Sequence, residues 1–246
     1  ADKDGYIARV LNGSAKSGAS TYGKAIAAVD ETIRKYTENY INASFYTNHD
    51  LARGAGYYTG EYAECKVKMG QAMNLLMSGT AFLYYGEEIG MKGAGKDENK
   101  RLGMYWSEDP DTEGMCDGPK DADSVKMSYD SLEDQQKDSC SIYHFVKQAI
   151  KIRNIYPEIA RGTVTFCEEL SDDQVCVLMK EYKGSQLLLV FNISGNENTV
   201  DLSGVSLNGK ETGEIEAAAT LQTSEEAVSV EGSKVILPAY SIEILK

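Results

Sequence analysis

The sequence has no long apolar run and no excess of positive charge, and each absence excludes a class of function. A helix that crosses a bilayer needs about 18 or more consecutive apolar residues, and no such stretch occurs. The 246 residues carry 25 basic and 38 acidic side chains, which gives a net charge of −13. Because like charges repel, this acidity argues against nucleic acid or an anionic membrane as a partner.

Signatures of zinc, disulfide and nucleotide sites are also missing. The cysteines are odd in number and show no Cys-x-x-Cys spacing, so free thiols are expected rather than a zinc site or a complete disulfide framework. The five positions are Cys65, Cys116, Cys140, Cys167 and Cys176. The sequence contains no glycine-rich phosphate loop and no internal repeat.

A polar cluster follows the short apolar strand predicted at residues 45–47. Asn48, His49 and Asp50 come directly after it, and Arg53 stands three positions further on. Seen alone, the tripeptide suits a turn in which Asn and Asp bond to nearby backbone groups. Its place at the end of a strand favours a site, because barrel enzymes present polar groups to their substrates there.

The residues after this cluster predict a parallel α/β arrangement. Residues 69–77 have the apolar spacing of a helix, and residues 81–85 form an apolar run that ends near Glu87 and Glu88. Strand, helix and strand in this order are typical of a parallel sheet with its site at the carboxyl ends. Adjacent strand residues point to opposite faces, so we assign the two glutamates to structure rather than to an acid pair.

Two helices are predicted before this unit. Residues 6–11 fit a short helix, and a second helix carries an apolar stripe. The stripe consists of Tyr22, Ile26, Val29, Ile33 and Tyr36. This spacing predicts packing against a core.

The second half of the chain changes from helical to strand patterns. Residues 92–139 form a long polar segment, and residues 141–156 form an amphipathic helix that Pro157 closes. Beyond it, turn residues divide β-rich runs with no helix between them, which predicts an antiparallel sandwich. These runs are residues 175–182, 186–193, 199–202 and 235–245.

Three blocks resemble the alpha-amylase family of glycoside hydrolases. Phe-Tyr-Thr-Asn-His-Asp at residues 45–50, followed by Arg53, resembles the family's fourth conserved region. Residues 78–91 resemble its last barrel strand, with Ser78 and Ala81 where prolines are usual. Residues 96–106 resemble the Arg-x-x-Met-x-Trp loop of bacterial amylases and oligoglucosidases.

The resemblance implies an α/β plus all-β fold in two domains. Residues 1–157 are expected to be the last portion of a (β/α)8 TIM barrel, from after its sixth strand, and residues 158–246 a C-terminal antiparallel β-sandwich. The family's nucleophilic Asp and general-acid Glu belong to the fourth and fifth strands, which would precede this chain. We therefore expect the chain alone to be inactive and to expose apolar flanks that a missing N-terminal barrel half covers.

The resemblance also implies roles for five residues. Asp50 matches the carboxylate that stabilises the transition state, and His49 matches a histidine that binds hydroxyls of the same sugar. Asn48, Arg53 and Trp106 are expected to bind substrate. For Arg53 the alternatives are orienting a carboxylate or reaching the cleft, and for Trp106 they are stacking on a sugar ring or packing its loop onto the barrel.

The intact enzyme is expected to be a retaining hydrolase of α-1,4-glucosidic bonds in starch and maltooligosaccharides. Because polymeric starch cannot enter a cell, a secreted or cell-surface bacterial protein is expected. An α-glucosidase, an oligo-1,6-glucosidase, a transglycosylase and a non-catalytic polysaccharide-binding piece remain alternatives. We expect no metal or other cofactor in this chain, although acidic residues 109–117 could ligate calcium, which is possible in the intact enzyme. Lacking EF-hand spacing, that stretch favours a solvated loop.

Overall fold

The computed structural model describes residues 5–246, so the first four residues of the predicted barrel part lie outside the described residues. Helices dominate up to residue 161 and strands follow. The helices are α1 Tyr6–Leu11, α2 Gly18–Arg34, α3 Ala63–Leu75, α4 Leu132–Gln135, α5 Ile142–Ile155 and α6 Pro157–Arg161, with short 3-10 turns that include Gly54–Gly56, Glu87–Ile89 and Glu98–Arg101. The predicted domain boundary lies at the start of α6. No helix of residues 5–246 is both long enough and apolar enough to cross a membrane.

The strands are all antiparallel and form the sandwich that the sequence predicts. They are β1 Thr163–Phe166, β2 Val175–Tyr182, β3 Ser185–Asn192, β4 Asn198–Asp201, β5 Ser206–Leu207, β6 Lys210–Glu211, β7 Ala217–Gln222, β8 Ser229–Glu231, β9 Lys234–Leu237 and β10 Ser241–Leu245. One sheet has the order β1-β2-β3-β10-β7, a second has β4-β9-β8, and β5 pairs with β6. The apolar run at residues 235–245 is two strands, because the chain turns at Tyr240, whose φ is 49°.

The five-stranded sheet is buried on both faces, which explains its almost continuous apolar strands. On one face, Leu178 and Phe191 join the core cluster that contains residues of α2, α3 and α5. On the other face, Val177 and Val190 pack in a second cluster with Val235 of β9. Successive strand residues point to opposite faces, so each of these strands serves two cores.

The barrel strands are much less complete than the sequence predicts. The two apolar runs meet in one parallel bridge, between Phe45 and Phe82, and no longer parallel ladder joins them in the described part of the chain. Phe45 is 43% exposed and Phe82 is 48% exposed. The two short strands are therefore found at their predicted positions but are reduced to a single bridged residue each. A parallel barrel strand is normally paired on both edges and covered on both faces, and among residues 5–246 each of these segments has one paired neighbour.

The apolar stripe of α2 is buried only at its N-terminal end. Tyr22 is 2% exposed and donates to the carbonyl oxygen of Met73 at 2.6 Å. Val29 is 44% exposed, and Tyr36, which lies beyond the end of α2, is 87% exposed. The prediction of core packing is therefore wrong for these two residues. A cleft of about 530 Å³ opens here between α1, α2 and the Phe45 segment.

The helix predicted at residues 141–156 is confirmed as α5. Ser141 caps it by accepting a hydrogen bond from the backbone nitrogen of His144 at 3.3 Å. Ile142, Val146 and Ile152 are buried on its inner face. The helix ends before Tyr156 and Pro157, as proline requires.

Candidate functional site

Asn48 builds a turn that presents the next two side chains to solvent. Its Oδ1 accepts hydrogen bonds from the backbone nitrogens of Asp50 at 2.9 Å and Leu51 at 3.1 Å. The side chains of His49 and Asp50 are 59% and 63% exposed. The two interpretations of the tripeptide therefore apply to different residues: Asn48 makes the turn, and the histidine and carboxylate are displayed by it.

Two cationic side chains and an imidazole surround Asp50. Arg101 Nη2 lies 3.3 Å from Asp50 Oδ1, and His49 Nε2 lies 3.4 Å from Oδ2. Lys100 Nζ donates to the backbone oxygen of Asp50 at 2.9 Å. Exposed ion pairs of this kind contribute about 0–1 kcal/mol, so their main effect here is on the orientation of the carboxylate.

The cations reach Asp50 from the 3-10 turn Glu98–Arg101. Asp97, just before the turn, binds Lys100 Nζ at 3.0 Å. This hydrogen bond and the nearby charge of Arg101 hold the pKa of Asp97 below its ordinary value. Asp97 thus orients Lys100 and Arg101 toward Asp50. The sequence of this block resembles the family's loop, but no local pattern singles out Lys100 or Arg101.

Glu87 holds the base of the site from inside the core. It is 1% exposed and accepts hydrogen bonds from Thr47 Oγ1 at 2.8 Å, the backbone nitrogen of Gly54 at 2.9 Å and Gln71 Nε2 at 2.6 Å. Burial raises the pKa of Glu87, and these hydrogen bonds and Arg53 oppose the rise. Since Thr47 and Gly54 bracket the polar loop, the buried carboxyl fixes both of its ends, which agrees with the structural role expected for Glu87.

The Arg53 side chain does not reach the surface at which His49 and Asp50 are exposed. Its side chain is fully buried, donates to the backbone oxygens of Tyr85 and Lys100, and lies 4.5 Å and 4.4 Å from the ring centroids of Tyr84 and Tyr85. Of the two predicted roles, direct substrate contact does not fit this burial. The Arg53 side chain instead connects the polar loop to the end of the apolar run at residues 81–85.

Tyr84 and Tyr85 are supports that the sequence analysis missed. The hydroxyl of Tyr84 donates to the backbone oxygen of Lys100 at 2.9 Å, and that of Tyr85 donates to Leu102 at 2.6 Å. They attach the cationic turn to the end of the apolar run. The sequence signal for this role is the pair of consecutive tyrosines at a strand end. A tyrosine combines an apolar ring, which packs, with a hydroxyl group, which forms a hydrogen bond.

Trp106 lies apart from this cluster. It is 43% exposed, and its backbone oxygen accepts from the backbone nitrogen of Glu133 at 2.9 Å. Among residues 5–246, no hydrogen bond, ion pair or ring contact links it to the Asn48 turn. The structure therefore brings together His49, Asp50 and the ends of their loop, but not Trp106.

The long polar segment is folded by its own side chains. Asn99 donates to Asp123 Oδ2 at 2.9 Å, and Lys96 Nζ lies 2.5 Å from Asp123 Oδ1. These two partners lower the pKa of Asp123. Within the described part of the chain, no group of three or more His, Cys, Asp or Glu side chains is placed to hold a metal ion.

Comparisons with known proteins cover most of the chain. Residues 12–162 match the family model "Alpha amylase, catalytic domain". The structure of Eubacterium rectale Amy13B is 53% identical, with a TM-score of 0.94 over 99% of this chain and 46% of that chain. Alpha-amylase SusG of Bacteroides thetaiotaomicron is 28% identical over 74% of this chain and 27% of its own length. The 4-alpha-glucanotransferase of Thermotoga neapolitana is 29% identical over 65% of this chain and 36% of its own length. The chain thus spans less than half the length of each of these relatives.

Proposed function

Because the chain belongs to the alpha-amylase catalytic-domain family, we propose that it supplies one wall of the active site of a retaining hydrolase. The proposed reaction is cleavage of α-1,4-glucosidic bonds in starch and maltooligosaccharides. The observation that carries the proposal is the exposed His49–Asp50 pair, held at a strand end by a turn on one side and a cationic loop on the other.

The chemistry of glycoside cleavage gives each of these groups a task. The transition state resembles an oxocarbenium ion, so it is stabilised by nearby negative charge and by hydrogen bonds to sugar hydroxyls. In this proposal Asp50 supplies the charge and accepts from hydroxyls, and His49 binds the same sugar. Arg101, 3.3 Å from Asp50, orients the carboxylate.

The nucleophile and the general acid come, in this proposal, from the part of the barrel that this chain does not contain. Retaining glycosidases place these two carboxyl groups roughly 5–5.5 Å apart. The open apolar flank supports such a partner: Phe45, Phe82 and Val29 are each more than 40% exposed, and Phe45 and Val29 line the cleft together with Tyr6 and Ile26. Burying them against further strands would complete the parallel sheet.

The remaining roles follow from the substrate. We place the intact enzyme outside the cell or on its surface, since the polymer is too large to be imported. In this proposal the chain requires no cofactor of its own, and any calcium belongs to the rest of the enzyme. Asn48 contributes the turn that displays His49 and Asp50, and Arg53 contributes a buried support for that loop. Trp106 contributes a further contact to the sugar, at the border of the substrate cleft.

A second candidate is an enzyme that acts on short oligosaccharides or transfers glucosyl units. The similarity to a 4-alpha-glucanotransferase, at 29% identity, favours keeping it. Product analysis separates the two candidates: amylose yields maltooligosaccharides under the first, whereas disproportionation products or glucose from isomaltose identify the second.

The site is tested in a hybrid that joins this chain to the N-terminal segment of Amy13B that it does not cover. We expect Asp50→Asn to lower kcat for maltoheptaose by about 10²–10³, as loss of one transition-state contact does. Asp173→Asn is the matched control, since Asp173 is an exposed aspartate in the sandwich part of the chain; its kcat should stay within about threefold of the unmodified hybrid, because an exposed position outside the site is changed. Equal effects of the two changes would remove the proposed role of Asp50.

A further inference from the structure

Lys180 of β2 is a fully buried lysine that crosses from the sandwich to the helical part. Its Nζ lies 2.6 Å from the backbone oxygen of Leu76, 3.1 Å from Ser78 Oγ and 2.8 Å from the backbone oxygen of Ile159. An ammonium group has three hydrogens, so each acceptor can take one. Leu76 directly follows α3 and Ile159 lies in α6, so this side chain joins three elements.

Arg153 of α5 binds the same segment. Its Nη1 donates to the backbone oxygens of Leu75 and Met77 at 2.6 Å each, and its Nη2 donates to that of Gly79. The carbonyl groups at the C-terminal end of a helix lack partners within it and carry partial negative charge. Two cations from different elements therefore hold the end of α3 and the residues that follow.

The held segment leads directly into the supports of the candidate site. Phe82, three residues beyond Gly79, forms the parallel bridge to Phe45, and Asn74 of α3 donates to its backbone oxygen at 2.9 Å. The same stretch then reaches Glu87, which binds both ends of the polar loop. A shift at the end of α3 would therefore be passed to the loop through a short, buried path.

We propose that Lys180 and Arg153 form an interdomain clamp through which the sandwich positions residues 75–80 and, with them, the strand end that supports the candidate site. The sandwich then has a task beyond covering the barrel. Lys180 is a positioning residue, since nothing in the described structure brings it near Asp50. The clamp stands on these contacts alone and goes beyond the proposed function.

The clamp contains a charge without a bound counter-ion. Among residues 5–246, no carboxylate lies within hydrogen-bonding distance of Lys180. The charged groups that act on it are Arg153 of α5 and, with opposite sign, Asp30 of α2. Burial and then Arg153 lower the pKa of Lys180 to about 7. Opening the clamp returns the amine to water and to its ordinary pKa of 10.5, so opening becomes less favourable as the pH rises above about 7.

Amide hydrogen exchange on the 246-residue chain tests the clamp. We expect Lys180→Met to speed exchange at Gly79 and Thr80 by about tenfold or more, because the three acceptors lose their shared donor. Exchange in β3 should stay within about twofold, since local opening does not require the sandwich core to unfold. No change at Gly79, or an equal rise throughout the chain, would overturn the proposal.

Lys246→Met is the matched control. Lys246 Nζ also lies at the junction, 2.8 Å from Glu158 Oε1, but it does not touch the held segment. Its loss should leave exchange at Gly79 unchanged, and an effect equal to that of Lys180→Met would count against the clamp. If Lys180→Met does not fold, Ser78→Ala removes one acceptor of Lys180, together with the hydrogen bond that Ser78 Oγ donates to the backbone oxygen of Gly162 at 2.9 Å, and leaves Lys180 in place. It should then raise the exchange rates of Gly79 and Thr80 but not those of the rest of the chain. Exchange at these two residues that rises no more than elsewhere would contradict the proposal.

The pH dependence provides a readout that simple packing does not change. After correction for intrinsic rates, protection of Gly79 and Thr80 should rise between pH 7 and 9 by up to about tenfold per pH unit, as linkage of one proton requires. Lys180→Met should abolish this rise. A flat profile in the unmodified chain would show that opening of the segment is not linked to protonation of Lys180.

Discussion

The strands of the sandwich and those of the barrel part differ in how far this chain buries them. Phe191, in the centre of the five-stranded sheet, has no exposed surface, whereas Phe45 and Phe82, which form the parallel bridge of the barrel part, are 43% and 48% exposed. Antiparallel strands can be joined by short hairpins, as β2 and β3 are, whereas parallel strands need a longer crossover connection. The five-stranded sheet is covered by β9 on one face and by α2, α3 and α5 on the other, while the Phe45 and Phe82 segments keep an exposed flank.

Truncating one phenylalanine in each region gives the largest expected contrast. Phe191→Ala should lower the free energy of unfolding by about 3–5 kcal/mol, because it opens a cavity in a filled core and removes an edge contact to Tyr22. Phe45→Ala should lower it by less than about 1 kcal/mol, because the ring is already largely in water. Urea denaturation measures both. Equal losses would show that the barrel part is as fully packed as the sandwich.

Glu87 tests whether the barrel part has a rigid centre despite its open flank. Glu87→Gln should cost about 3 kcal/mol, because one of the two acceptor oxygens becomes an amide nitrogen that cannot accept. In the Oε2 position the nitrogen meets the Gln71 amide, and in the Oε1 position it meets the Thr47 hydroxyl and the Gly54 backbone nitrogen, so either orientation leaves a buried donor unpaired. Glu61→Gln, at an exposed position, is the control and should change stability by less than about 0.5 kcal/mol. A small effect at Glu87 would mean that the loop ends are held by something else.

Glu243 makes the stability of the sandwich depend on pH. Burial raises the pKa of this β10 carboxyl from 4.5 to about 7, and its Oε1 has no hydrogen-bond partner among the described residues. The folded state thus keeps a proton that the unfolded state releases, so its contribution to stability is present below pH 4.5 and is lost as the pH rises through 7. Glu243→Gln should therefore remove about 2 kcal/mol of the fall in stability between pH 5 and 7.5, as measured by urea midpoints. Glu231→Gln, on the exposed strand β8, should leave the fall intact.

The smallest expected effect on stability belongs to the site itself. Arg101→Gln breaks an exposed pair, so it should change the free energy of unfolding by less than about 1 kcal/mol. In the hybrid enzyme the same change should reduce kcat more than it raises KM, because the orientation of Asp50 affects the transition state most. Lys137→Gln, which removes an exposed pair far from the site, should change neither. A loss of stability above about 2 kcal/mol would show that Arg101 supports the fold.

The sequence locates elements well wherever their neighbours are local. The amphipathic spacing of α5 and the apolar runs of β2 and β3 were predicted close to their observed positions, because these patterns are read from adjacent residues. The number of residues that pair in the barrel strands was not predictable, since a strand at Phe45 depends on pairing with residues outside its own segment. The Asn48 turn was available as one of two interpretations, and both proved to apply.

The candidate site shows the same division. His49 and Asp50 were found from one short motif, but Arg101 lies 3.3 Å from Asp50 only because the chain folds back from a loop about fifty residues later. The burial of Arg53 depends on Tyr84 and Tyr85, which come from another strand end. Contacts made by tertiary folding leave no local pattern, so the sequence identified the displayed groups and missed their supports.

Hydrolysis of maltoheptaose, by the 246-residue chain alone and by its hybrid with the N-terminal segment of Amy13B, tests the central claim most directly. We predict no turnover above buffer for the chain alone and measurable turnover for the hybrid, since the proposal places the nucleophile and the general acid in the added segment. Turnover by the chain alone at an ordinary enzymatic rate, of about 1 per second or more, would contradict it.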